Sequence, residues 1–168
     1  MSLEGQRLQP DRYSVVPRTL SFLLHEDQIL LLRIAEERGP WGGQYNGVGG
    51  HIERGENPLS AARREILEET GTVPDSLELC GVVVIDTQTV PGISLYIYVG
   101  KIDHPSPLKA TDEGTLDWVP LSEVYDLPLV EDLPILLPKA LEADRIKRPF
   151  SANYTYDDER DLTIHFSS

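Results

Sequence analysis

Glu65, Glu68 and Glu69 are spaced so that a helix would carry all three carboxylates on one face. At ~100° per residue, setting Glu65 at zero puts Glu69 near about +40° and Glu68 near about −60°. Leu59, Ala62 and Ile66 then fall between about +60° and +120° and make the buried stripe. Ala61 lies between the carboxylates, so nothing bulky crowds them. Like charges at these spacings repel by a few tenths of a kcal/mol per pair. Arg63 and Arg64 relieve some of this. A hard divalent cation relieves more, because Mg²⁺ prefers oxygen ligands and keeps waters and substrate phosphates in its shell. The chemistry implied is the binding of a hard divalent cation, whose remaining shell could take substrate phosphates.

The helix that must hold these acids is signalled at both ends. Asn57 can N-cap it, Pro58 fits its first position, and Gly71 fits the left-handed C-terminal position, giving residues 58–70. Before it, residues 38–50 hold six glycines and read as an irregular loop. That loop lets a backbone carbonyl approach the same ion. Residues 13–24 and 28–34 read as strands about the turn His25-Glu26-Asp27, with Pro17 making the first an edge or broken strand. Residues 77–86, 93–101 and 115–119 are further strands. A Pro-started helix is expected over 132–144 and a hairpin over 149–167. Strands and helices mix without a regular βαβ rhythm, so a single mixed-sheet α/β domain spanning 1–168 is expected.

Composition narrows the function. Asp and Glu number 28 against 15 Lys and Arg, a net charge of −13. Such a surface excludes a nucleic-acid wrapper, so phosphates would need an imported cation. The stretch 50–72 holds five acids and three bases, and 111–133 holds seven acids and no base, so the two carry nine of the thirteen net charges. The lone Cys80 fits a reducing cytoplasm. No apolar run reaches the ~20 residues of a membrane span, and Met1–Gly5 lacks the layout of a secretory leader. The four histidines show no metal spacing.

The pattern is wider than the three acids. It runs Gly50, Glu56, then Arg64-Glu65-Ile66-Leu67-Glu68-Glu69-Thr70-Gly71. Seven fixed residues at roughly 7% usage each match by chance on the order of once in 10⁸ starts. The stretch 50–72 resembles the Nudix box, departing only where an aliphatic residue usually follows Gly71 and Thr72 stands instead. The resemblance implies an α/β/α fold with a mixed sheet between helices. It implies hydrolysis of a nucleoside diphosphate linked to another moiety. It also implies metal ligation by the Gly50 carbonyl, Glu65, Glu68 and Glu69, with Arg64 and Glu56 pairing to hold the ligands. Tyr45-Asn46-Gly47-Val48-Gly49-Gly50 is similar to MutT-type members, including oxidised-purine triphosphatases. In that group an acid placed like Glu113, five residues before Trp118, supplies a further metal or water contact. There the segment like Val130–Leu137 carries two acids that read the purine edge, here Glu131 and Asp132. The aromatic that precedes them is missing, with Leu129 and Val130 in that region. Trp41 or Tyr45 could stack on a base or anchor the loop. Asn46 could pair with a base or mark a turn. Glu131 and Asp132 could read a base or favour a helix N-terminus.

The activity expected is Mg²⁺-dependent hydrolysis, with Mn²⁺ as a substitute, of a purine nucleoside triphosphate, normal or oxidised, to monophosphate and pyrophosphate. Glu65, Glu69 and Glu113 are each candidates for the proton acceptor. Alternatives are ADP-ribose, a nucleotide sugar or a dinucleoside polyphosphate, or a binding domain without catalysis. The expected partner is the small nucleotide alone, with no nucleic acid or membrane, and the chain a monomer or homodimer.

Overall fold

The computed structural model describes residues 12–167; Met1–Gly5, discussed above, lie outside the described residues. Strands β1 (Val15–His25) and β2 (Gln28–Ile34) form the expected hairpin, with Leu23 opposite Leu30. The other strands are β3 (Tyr45–Asn46), β4 (Ser76–Ile85), β5 (Gly92–Lys101), β6 (Gly114–Pro120), β7 (Phe150–Tyr156) and β8 (Leu162–Ser167). The helices are α1 (Pro58–Thr70) and α2 (Leu133–Ile146). The strands make one mixed sheet in the order β3-β2-β1-β5-β4-β7-β8, with β6 against β2. The β1–β5 and β4–β7 pairs are parallel and the others antiparallel.

Successive residues of a strand face opposite sides, and β1 uses both. Phe22 enters one apolar cluster, with Leu133, Leu136 and Leu137 of α2. Leu23 enters the other, with Ile66 of α1. The sheet therefore lies between the two helices, as an α/β/α arrangement. In α2 the buried Leu133, Leu136, Leu137, Ala140 and Ala143 recur at helical spacing.

Two expectations are corrected. β1 is not an edge or broken strand: it pairs with β5 through ten residues, Pro17 opposite Ser94. Thr19 and Ser21 on β1 donate to Gly50 and Val48, so the amide of every second residue faces the glycine loop. Pro17 has the same parity, so its missing N–H removes no bond to β5. Residues 38–50 are also not wholly irregular. Tyr45 and Asn46 pair with β2, and Val48 bridges Ser21, so this segment enters the sheet as a wedge between β1 and β2. The close approach needs glycine, since a Cβ on Gly49 would overlap the Thr19 carbonyl. A Gly49→Ala chain is expected to lose roughly 6 °C or more of melting temperature, measured by circular dichroism. A melt within a degree of the parent would refute the tight wedge.

Candidate active site

Helix α1 forms as its ends require. The Asn57 side chain accepts the Ser60 amide at 3.0 Å, and Gly71 closes the helix at φ 68°. The departure at Thr72 is accommodated: the residue is buried, and its hydroxyl accepts the Ser106 amide at 3.3 Å. The three carboxylates meet different surroundings, however. The buried arc of α1 runs through Ala61, Ala62, Ile66, Glu69 and Thr70. Glu69 is thus 8% exposed, the Glu65 side chain 15%, and the Glu68 side chain 58%. Ala61 is fully buried, and Leu59 only half-buried, so the apolar stripe is displaced towards the acids.

Arg64 ties this cluster together. Its Nε and Nη2 donate to both oxygens of Glu56 at 2.8 and 3.0 Å. Its Nη1 donates to Glu65 at 2.8 Å and Glu68 at 3.1 Å, and Nη2 also reaches the His51 carbonyl at 3.0 Å. The Arg64 hydrogen bond, helped by the Glu53 amide, holds the Glu56 carboxyl at about 2. Glu69 has no such partner. Both its oxygens are buried without a hydrogen bond. Burial first, then the charges of Glu113 and Glu65, push its carboxyl up to about 8. Glu113 arrives from the segment before β6, where Arg38 donates to it at 3.1 Å.

Among the described residues, no three Asp, Glu, His or Cys already stand as a ligand cluster; Arg64 draws Glu65 and Glu68 instead. The donor set nevertheless fits a hard cation. Glu69 is an orphaned buried carboxylate, and the three acids around it raise its pKa. A Cβ on Gly50 would lie 2.5 Å from Glu65 Oε1, so a side chain there would push that carboxylate out of its present place. The Gly50 carbonyl accepts Thr19 N at 2.8 Å and keeps a second lone pair.

A cleft of about 1020 Å³ runs from Gly50, Glu65 and Glu113 past Trp41 and Asn46 to Glu131 and Asp132. Trp41 is 54% exposed, free to cover a flat ligand. Asn46 Oδ1 accepts the Gly47 amide at 2.8 Å, leaving its amide nitrogen to the cleft. Tyr45 is not brought there. As its neighbour on β3 it faces the other way; it packs on the core and donates to Asp117 at 3.3 Å. Arg33 pairs with exposed Glu36 instead of facing the cleft. The sequence reading passed over Tyr154 and Tyr156, which line the cleft beside Asp132. Their spacing of two on a strand marks a shared face, but nothing local says which face meets the cleft.

Comparisons with known proteins identify the family and the fold. The NUDIX domain family model matches residues 16–140. The oxidized purine nucleoside triphosphate hydrolase of Mus musculus is 27% identical over 150 residues, covering 89% of this chain and 91% of that protein. The crystal structure of the MutT protein from Bacillus halodurans superposes with a TM-score of 0.76 at 26% identity, covering 91% and 98% of the two chains. The NUDIX domain of Shewanella oneidensis NrtR, solved with ADP ribose, gives 0.68 at 19% identity, covering 84% and 98%. A family match over so much of the chain, falling on a sheet and box helix of this form, makes the protein a member of the Nudix family and a Nudix hydrolase.

Proposed function

We propose that this hydrolase cleaves a purine nucleoside triphosphate, normal or oxidised, to monophosphate and pyrophosphate, using Mg²⁺ or, in its place, Mn²⁺. The observation that carries the reading is the cleft that Gly50, Glu65 and Glu113 line together with Asn46, Glu131 and Asp132. Glu65, Glu68, Glu69, Glu113 and the Gly50 carbonyl would hold the metal. When bound, the ion supplies positive charge to the phosphate oxygens and acidifies water. Arg64 keeps Glu65 and Glu68 oriented. Glu65, Glu69 or Glu113 takes the proton of the attacking water. Asn46, Glu131 and Asp132 meet the polar edge of the base, and Trp41 covers its face. The lone cysteine, Cys80, is a free buried thiol, in keeping with the reducing cytoplasm where we place the chain. No described helix is long and apolar enough to cross a membrane.

A second reading keeps the phosphate chemistry and changes the leaving moiety to that of ADP-ribose, a nucleotide sugar or a dinucleoside polyphosphate. It is favoured by the size of the cleft and by the ADP ribose held by a domain of this fold. A substrate panel with Mg²⁺ and Mn²⁺, scored by kcat/KM and by product, separates the two. Purine triphosphates are expected to lead by about tenfold or more and to release pyrophosphate. Preferred turnover of a diphosphate-linked substrate would sink the first reading.

A further inference from the structure

Acids outnumber cations along the cleft, whose arginines are Arg18, Arg38 and Arg160. Two of these have acids about them. Arg38 pairs with Glu113 at 3.1 Å, and Arg160 is exposed in the β7–β8 turn, with Glu159 and Asp161 on either side in sequence. Arg18 differs. It is half-buried on β1 and, among the described residues, makes no side-chain hydrogen bond and no ion pair. Its backbone is held on both sides, opposite Leu95 of β5 and bridged to His51. Arg18 shares the parity of Leu20 and Phe22, so it faces the α2 side of the sheet, as Leu20 in the cleft does. The next residue, Thr19, donates its amide to the Gly50 carbonyl at 2.8 Å, which sets Arg18 beside the cradle proposed for the metal. A half-buried guanidinium without a counter-charge has lost hydration with nothing in return. An anion entering the cleft would restore that balance.

We infer that Arg18 binds the phosphate chain of the substrate and gives this acidic cleft an affinity for phosphate that needs no metal. The inference rests on the reading that the cleft holds a nucleotide. A guanidinium presents a planar fork of N–H donors that matches two oxygens of one phosphate. The bridge to His51, next in sequence to Gly50, places that fork where phosphates meet the box. The box carboxylates attract an anion only through a bound cation, whereas Arg18 attracts one directly. It therefore selects a ligand by its phosphates, whichever base they carry. Arg18 takes no proton from the attacking water; its part is binding.

The test compares the full chain with Arg18→Ala and Arg18→Lys. The first measurement uses no metal: adenosine, guanosine and their mono- and triphosphates are titrated into each protein by calorimetry in EDTA. The parent is expected to bind a triphosphate at least about tenfold tighter than its nucleoside, and less tightly as salt rises. Arg18→Ala should erase that difference and leave nucleoside binding as it was. Arg18→Lys should recover part of it, having the charge without the fork. The second measurement is steady-state hydrolysis with Mg²⁺, where Arg18→Ala should lower kcat/KM for triphosphates about tenfold or more, chiefly through KM. A parent that binds triphosphate in EDTA no better than nucleoside overturns the inference. So does an Arg18→Ala chain that keeps the parental difference, or one that loses nucleoside and triphosphate binding equally, since the arginine then shapes the cleft. A lower melting temperature with triphosphate affinity retained marks a merely structural side chain and overturns it too. If triphosphates are hydrolysed by the parent and Arg18→Ala keeps their affinity and KM, only the role of Arg18 falls. If a diphosphate-linked substrate is preferred and Arg18→Ala still loses affinity for it, the triphosphate reading falls and the role of Arg18 stands.

Discussion

Glu69→Gln is expected to slow hydrolysis severely while making the metal-free protein more stable. The carboxyl is buried, both oxygens lack partners, and Glu113, Glu65 and Glu68 add like charge. Its folded value of about 8 exceeds the ordinary 4.5. The folded state then holds the proton more tightly than the unfolded chain. The stability this contributes is present below pH 4.5 and is lost as pH rises through about 8. Melting of the parent in EDTA should therefore decline across that window, and the Gln variant should not follow it. At pH 8 the variant should melt roughly 2–8 °C higher. Added Mg²⁺ should recover the parent, since a ligand of the folded state stabilises it, and should do less for the variant. Turnover should fall about 10²–10⁴-fold, as expected for loss of a group that holds charge at the reacting phosphate. Glu69→Gln melting below the parent at pH 8 in EDTA would contradict the burial argument. A Glu68→Gln, Glu69→Gln double variant that hydrolyses as fast as the parent would contradict catalysis by the box.

Removing Arg64 should cost both stability and rate. The guanidinium makes five hydrogen bonds, to Glu56, Glu65, Glu68 and the His51 carbonyl. Arg64→Ala leaves those acids facing one another without their shared counter-charge. A melting temperature lower by roughly 5–10 °C is expected, with kcat lower by about 10²-fold. Arg64→Lys restores the charge but not the planar fork that grips Glu56 with two bonds, so it should recover only part of each. The readout is paired calorimetry and steady-state kinetics across the three proteins. If Arg64→Ala melts lower yet keeps parental kcat, the residue supports the fold and does not orient the metal-holding acids.

What could be read in residues 50–72 was local. The cap at Asn57, the stop at Gly71 and the angular grouping of Glu65, Glu68 and Glu69 depend on helix period and backbone stereochemistry, which neighbours in sequence settle among themselves. The hairpin β1–β2 and the sheet-and-helix class were legible for the same reason. The charge excess in 50–72 and 111–133 was also legible, because composition needs no fold to count. Burial was not. Which of three similar glutamates lies at 8% exposure and which at 58% side-chain exposure depends on what packs against α1, and that surface is built from distant strands. Tyr45 could stack on a base and Asn46 could pair with one, and only their opposite facing on β3, fixed by pairing with β2, separated them. Pro17 looked like an edge signal because a sequence does not say which side of a strand its missing amide faces. The sequence by itself determined the carboxylate helix and the phosphate chemistry it implies. Only the tertiary structure decided that Glu69 sits unpaired beside Glu113, and that Tyr154 and Asp132 line one cleft. Those pairings join segments far apart in the chain, and the sheet that brings them together is held by burial of apolar surface summed over the whole molecule.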